Sequence, residues 1–532
     1  MSHNEPMTRR DLLKIIGYGA GASVMYQAMS TMGFAAGLSP AVKMDLKGAP
    51  KGTTILILGA GVAGLSAAYE LRKAGYKVKI LEFQNRPSGR AWSIYGGDRH
   101  TDTDGVTQAC QFDQGMFLNA GAWRIPYHHQ NVLNYCQELG VKLDPFVQIN
   151  FNAYLHSEKG FGGKPQRYRD VFSDFNGQIS ELLAKATHAN QLDQKISRQD
   201  KEILLEALKS HGALNNDYTY SKGIASSNRR GYAKTLGGGL SGGPITTQPL
   251  ALKDILDSRI WQSMSYHFNH MFQQTMFEPR GGMEMIGRAF ANQLKGVIQY
   301  HAEITDIKQS EQGVEVSYKD HSRGGQMRTE SAQWCVCTIP LPMLRRINLE
   351  VGPKLKTAID TPAYDPTVKV GAQYKRRFWE QDEAIYGGMT LTDMPNTHIA
   401  YPCVADDYFS KGKGVVLNGY MSGPTGQTFT DMSLQERNRV ALSYVAKVHP
   451  QAPQEFDNGY STAWAKVPWI RGGYTQWTDT QREQHYRNLC DIDGRIVLAG
   501  EHASYMNGWL EGAITSSLDA ITRLHQKIVQ TR

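Results

Sequence analysis

The stretch "TTILILGAGVAGLSAAYELRKAGYKVKILEF", Thr53 to Phe83, constrains the fold more than any other part of the chain. A β-branched apolar run, "TILIL", ends in Gly59, Gly61 and Gly64. A helical pattern follows, then a second apolar run that stops at an acid, Glu82. Between a strand and a helix, G-x-G-x-x-G has a mechanical reading as a dinucleotide-binding turn. Gly59 permits the tight turn, Gly61 lets a pyrophosphate approach the backbone, and Gly64 lets helix and strand pack closely. The helix N-terminus offers unpaired N–H groups and a positive dipole end to phosphates. Glu82, closing the next strand, can accept hydrogen bonds from a ribose. The competing reading is a glycine turn used only for packing.

At 532 residues and 41% hydrophobic, the chain is long enough for two or three packed domains. Its net charge of +8 is spread out. With no basic stripe and no aromatic-interleaved motif, nucleic-acid binding is not expected. The six cysteines form no CxxC pair and no zinc-spaced cluster with histidine, so no metal is expected. Cys335 and Cys337, in "WCVCTIP", read as small buried hydrophobes of a strand.

The amino terminus reads as a targeting segment. "TRRDLLK" precedes a mildly apolar stretch with small residues near Ala35 and Ala36, the pattern of a signal peptide. Arg9 and Arg10 make it resemble a twin-arginine signal. That resemblance implies folding around a cofactor, passage through the twin-arginine export machinery, and a periplasmic or secreted location. A chance arginine pair ahead of a membrane anchor is the other reading. No later segment has an apolar run long enough to span a bilayer.

Residues 51–110 alternate strand, helix and strand. "FSDFNGQISELLAKATHANQL" and "SRQDKEILLEALKSHG" predict amphipathic helices in a mainly helical insertion, and "TLGGGLSGGP" (Thr235 to Pro244) a flexible loop that could gate a channel. Alternating strands return from Arg280 to Pro340. Patterns such as "TVKVGAQYKRRFW" and "GVVLNGYM" suggest a second sheet. "GRIVLAGEHAS" adds a late buried strand, and "LEGAITSSLDAITRLHQKI" a closing helix.

Just after Glu82, "EFQNRPSGRAWS" carries Arg86 and Arg90. It resembles the E-x3-R-x-G-G-R element of FAD-dependent amine oxidases, with Ser88 in place of the first glycine, which suggests a slightly different turn. Near the far end, "GRIVLAGEHAS" and "NGWLEGAITSS" resemble that family's G-E followed by G-[WY]-x-x-G-A. Matching segments run along nearly the whole chain past the signal, most closely to L-amino acid oxidases. The implied fold class is α/β (α+β multidomain). A Rossmann-like FAD-binding domain is assembled from discontinuous segments (51–110, 273–345 and 485–532). A mixed or antiparallel-sheet substrate domain takes 111–150 and 346–484, a mainly helical domain takes 151–272, and residues 1–36 are the signal.

The resemblance implies the site residues as well. The cofactor-binding set is Gly59, Gly61, Ala63, Gly64, Glu82, Arg90, Gly121, Ala122, Trp123, Arg124, Ile304, Trp464, Gly500, Glu501, Gly508, Trp509 and Ala513. FAD is expected to be noncovalent, since no cysteine occurs in or just before "NGWLEGA". In "FDQGMFLNAGAWRIP", Arg124 matches the arginine that pairs with a substrate carboxylate. Tyr401 matches a tyrosine that also binds it, Gly508 a glycine carbonyl that accepts from the substrate amine, and Trp509 an aromatic wall. Lys369 matches the catalytic lysine that reaches flavin N5 through a water. Trp469 is left between a flavin-side and a packing role.

The implied activity is oxidative deamination of an L-amino acid by hydride transfer from Cα to N5. Dioxygen is the acceptor, and the products are a 2-oxo acid, ammonia and hydrogen peroxide. A monoamine or polyamine oxidase, an amino-acid 2-monooxygenase and a nonenzymatic flavoprotein are the alternatives. Family members are often dimers, so a homodimer is open. Sixteen histidines are present, and none is assigned as a general base.

Overall fold

The computed structural model describes residues 41–192, 196–403, 409 and 411–531. The segment expected to be a signal, 1–36, lies outside them. Among the described residues no helix is long and apolar enough to cross a membrane.

A five-stranded parallel sheet organises the first half of the architecture. Its order across the sheet is Ile298–Gln299, Lys77–Leu81, Thr54–Leu58, Trp334–Cys337 and Ile496–Leu498. The central strand is buried almost throughout, as an apolar run flanked on both sides must be. Helices Val62–Lys73 and Leu510–Gln530 cover one face, and both contribute to one apolar core with Ile55, Ile57 and Val336. Cys335 and Cys337 are buried thiols of the fourth strand, and all six cysteines are unpaired.

The second architectural unit is a seven-stranded mixed sheet. Its order is Gln166–Arg167, Tyr154–His156, Met389–Thr392, His398–Ala400, Gly414–Met421, Val368–Tyr374 and Phe456–Ala463. All strand pairs are antiparallel except Met389–Thr392 with Tyr154–His156, which run parallel. Every residue of Val368–Tyr374 is buried, Lys369 and Gln373 included. The expected helices are found at Tyr168–His188 and Arg198–Gly212, the second capped by the Ser197 side chain accepting from Asp200 N.

Three domain boundaries shift. Residues 154–167, placed in the helical insertion, form two strands of the seven-stranded sheet. Met276–Pro279, placed with the nucleotide domain, pairs instead with Leu143–Phe146 and Ile125–Pro126. Asn348–Leu349, placed with the substrate domain, runs parallel to Ala302–Gln309 on the nucleotide side. Strand partners are distant in sequence, and local patterning does not report them.

Candidate active site

A cavity of about 600 Å3 opens where the parallel sheet meets the mixed sheet. At one end lie Glu82, Ala302 and Ile304; the Gly59–Ala63 turn follows; Lys369, Arg124, His398 and Tyr420 also line the wall. The cavity thus collects residues from almost every segment of the fold.

The glycine turn behaves as its sequence requires. Gly59 has φ +105°, and a Cβ there would meet Thr338 Oγ1 at 2.6 Å. A Cβ on Gly64 would sit 2.0 Å from Gly59 O, so Gly64 serves close packing and does not line the cavity. A Cβ on Gly61 would meet nothing within 4 Å, because that position faces the cavity. Gly61 is also the N-cap of helix Val62–Lys73 and supplies no side-chain cap, so the first-turn N–H groups await an acceptor. Glu82 accepts from Ala60 N at 2.6 Å and Gln84 N at 2.7 Å, which fixes its carboxylate beside the turn. An uncapped helix start, an open glycine and an anchored acid along one wall fit a dinucleotide.

Ser88 keeps the turn expected of a glycine rather than changing it: its φ is +86°. It forms a bridge to Gly61, which seats Gly89 and Arg90 beside the helix start. Arg90 donates to Glu501 Oε1 at 2.6 Å and to Gly473 O at 3.1 Å. Burial is the largest influence on Glu501 and opposes its ionisation, but the Arg90 and His502 charges and the hydrogen bonds from Arg90 and Thr475 together hold the carboxyl below its ordinary value. Gly121 admits no side chain, since a Cβ would meet Arg90 O at 1.7 Å. Trp464 donates from its indole to Ala120 O at 2.9 Å. Trp469 stacks on Phe83 with centroids 5.1 Å apart and lines the cavity. Ala63, Gly121, Ala122, Trp123, Gly500, Glu501, Gly508, Trp509 and Ala513 line it too.

The remaining wall is cationic and aromatic. Arg124 is buried, and among the described residues no carboxylate forms an ion pair with it. One of its nitrogens donates to the Tyr266 hydroxyl at 3.1 Å, its Nε has no partner, and its guanidinium lies 4.8 Å from Trp123, 4.9 Å from Phe272 and 5.8 Å from Trp509. Lys369 Nζ donates to the Asn119 carbonyl at 3.2 Å and to the Gly121 carbonyl, with Trp123 at 4.6 Å. Burial, then the Arg124 charge, pushes the Lys369 amine well below its ordinary pKa.

Tyr401 is a correction. Its hydroxyl is buried between Thr390 Oγ1 and His449 Nε2, both at 2.7 Å, and it does not line this cavity. Along residues 398–401 side chains alternate: His398 reaches the cavity, whereas Ile399 and Tyr401 pack in a core with Trp379. The tyrosine beside Lys369 is Tyr420, directly opposite it across the strand pair. His398 is the other residue that sequence reasoning missed. The "TLGGGLSGGP" loop lines neither this cavity nor a second one of about 380 Å3 behind Trp123.

A family model described as flavin-containing amine oxidoreductase matches residues 62–524. The chain belongs to that family. It is therefore an oxidoreductase whose family carries a flavin. It is 27% identical to YobN of Bacillus subtilis over 482 residues, 87% of this chain and 93% of that protein. It is 25% identical over 483 residues to an L-amino-acid oxidase of Siganus canaliculatus (89% and 85%), and 26% over 497 to one of Echis ocellatus (91% of each). In fold it is similar to cyclohexylamine oxidase from Brevibacterium oxydans, with TM-score 0.59 and 17% identity over 90% of this chain and 99% of that one. A putrescine oxidase variant gives 0.58 and 16%, over 91% and 100%.

Proposed function

We propose that the chain is an FAD-dependent L-amino acid oxidase that yields a 2-oxo acid, ammonia and hydrogen peroxide. The observation that carries this reading is Arg124, a buried cation in the cavity wall with no acid paired to it among the described residues. A buried charge without a counterion costs several kcal/mol. A substrate carboxylate offsets that cost and can share two parallel hydrogen bonds with the guanidinium. A plain amine brings no anion.

The chain's residues orient and exclude. Arg124 fixes one end of the substrate, Trp123, Phe272 and Trp509 keep water from its flank, and Gly508 offers a backbone carbonyl for the amine. The uncapped helix start at Gly61, with Glu82, Arg90 and Glu501, would hold the dinucleotide, and Trp464 and Trp509 would flank its ring. No cysteine lines the cavity among the described residues, which supports noncovalent binding. When bound, the flavin supplies the electron acceptor that dioxygen regenerates. The Lys369 amine, tied to two carbonyls, is positioned to stabilise charge developing on dioxygen.

The proposal extends to twin-arginine export, a periplasmic or secreted location, and a homodimer, supported by Arg9 and Arg10 and by the family resemblance. The deciding experiment is a peroxide screen of the flavin-loaded protein across L- and D-amino acids and common amines. L-amino acids should give peroxide and ammonia. Activity confined to amines would replace this reading by a monoamine or polyamine oxidase. Carbon dioxide with an amide product would replace it by a 2-monooxygenase.

A further inference from the structure

Thr397 and His398 form a small polar relay on the cavity wall. Thr397 has φ +51°, a backbone conformation that β-branched residues rarely adopt. Its hydroxyl donates to Tyr420 O at 2.7 Å and contacts His398 Nδ1 at 2.7 Å. A hydroxyl has one proton, and a carbonyl only accepts. Thr397 Oγ1 must therefore accept from His398, so the proton of the neutral imidazole sits on Nδ1. The lone pair is left on Nε2, which has no partner among the described residues and is not sealed in the core.

The same two rings touch this imidazole and the Arg124 anchor. Trp123 lies 6.4 Å from the His398 ring and 4.8 Å from the guanidinium. Tyr266 lies 5.4 Å from the His398 ring, and its hydroxyl accepts from Arg124. Tyr420 packs on the third side at 5.9 Å. The charged or titratable groups acting on His398 are Arg124, His267 and Lys369, with the Tyr266 and Tyr420 phenols alongside. Burial first, then those three, pushes its pKa down to about 3, so the ring is neutral before substrate arrives.

We infer that His398 Nε2 is the acceptor of the proton that the substrate's α-ammonium group loses before Cα is oxidised. The inference rests on the function proposed above. The N–H bond of the ammonium breaks, its electron pair stays on the substrate nitrogen, and a new N–H bond forms on Nε2. The imidazolium later returns the proton to solvent. Burial is the main reason His398 is neutral, and a carboxylate seated on Arg124 cancels part of the smaller share that the neighbouring positive charges add. The substrate thereby raises the basicity of its own acceptor as it binds.

The test is anaerobic flavin reduction in the flavin-loaded protein, followed by stopped flow from pH 6 to 10. The reductant is the L-amino acid most active in the peroxide screen. Wild type should give a limiting rate nearly flat above pH 7. His398→Asn should lose about 100-fold at pH 7. Its rate should then climb roughly tenfold per pH unit toward the wild-type value as solvent takes the proton instead, with substrate Kd little changed. Thr397→Val, which frees the tautomer, should shift the profile the same way by a smaller factor. A purely structural role would lower the rate equally at every pH. A variant profile as flat as wild type, in either variant, overturns the inference while leaving the oxidase reading intact. If no amino acid reduces the wild-type flavin, both fall together.

Discussion

Lys369 and Tyr420 stand opposite each other on adjacent antiparallel strands, and both side chains enter the same cavity. The amine lies 5.9 Å from the tyrosine ring centroid and is fastened to two backbone carbonyls. Replacing it with methionine keeps the volume and removes the donor. Lys369→Met should slow reaction of the reduced enzyme with dioxygen by about 100-fold, while anaerobic reduction changes far less. Double-mixing stopped flow separates the two half-reactions. An unchanged oxygen step would remove Lys369 from it.

Arg124→Ala removes the proposed carboxylate anchor. The loss in kcat/KM for L-amino acids should be about 100-fold or more, most of it in KM, because a buried charge-assisted pair contributes about 3 kcal/mol. Amine substrates, where any are accepted, should lose much less. Equal losses on both classes would count against the anchor.

Two glycines of one turn should fail in different ways. Gly64→Ala drives a methyl into Gly59 O and should lower the melting temperature severely. Gly61→Val meets no protein atom within 4 Å at its Cβ, so the fold should survive while flavin affinity collapses. Thermal denaturation with and without added FAD distinguishes them.

Glu278 faces Asp144 across paired strands on the wall of the second cavity. Burial, then the Asp144 charge, raises its pKa from 4.5 to about 8. The fold therefore prefers the protonated carboxyl. Its contribution is fully present below about pH 4.5 and is lost as pH rises through 8. Glu278→Gln should raise the melting temperature at pH 8 to 9 and change it little at pH 4. An identical shift at both pH values would mean that ionisation is not the cause.

The nucleotide half of the fold was legible because glycine spacing, helix periodicity and a strand-terminal acid are local signals. The Arg86–Arg90 element was legible for the same reason, although Ser88 adopts the glycine conformation its identity argued against. Tyr401 was misplaced because a two-residue strand repeat does not say which face is buried. The register of His398–Ala400 is set by partners that local sequence does not name. His398 went unseen for a related reason. Its tautomer depends on a threonine hydroxyl whose own partner, Tyr420 O, lies 23 residues away.

The parallel sheet receives its outer strand, Ile496–Leu498, long after its partner Trp334–Cys337 has left the ribosome. Until then Trp334–Cys337 exposes an unpaired apolar edge, a template for pairing with the wrong chain. Gly500, Glu501, Gly508 and Ala513 are likewise still unmade, so a nascent chain cannot rescue itself early by binding its cofactor. That open edge is where an unfinished chain is most exposed to wrong pairing.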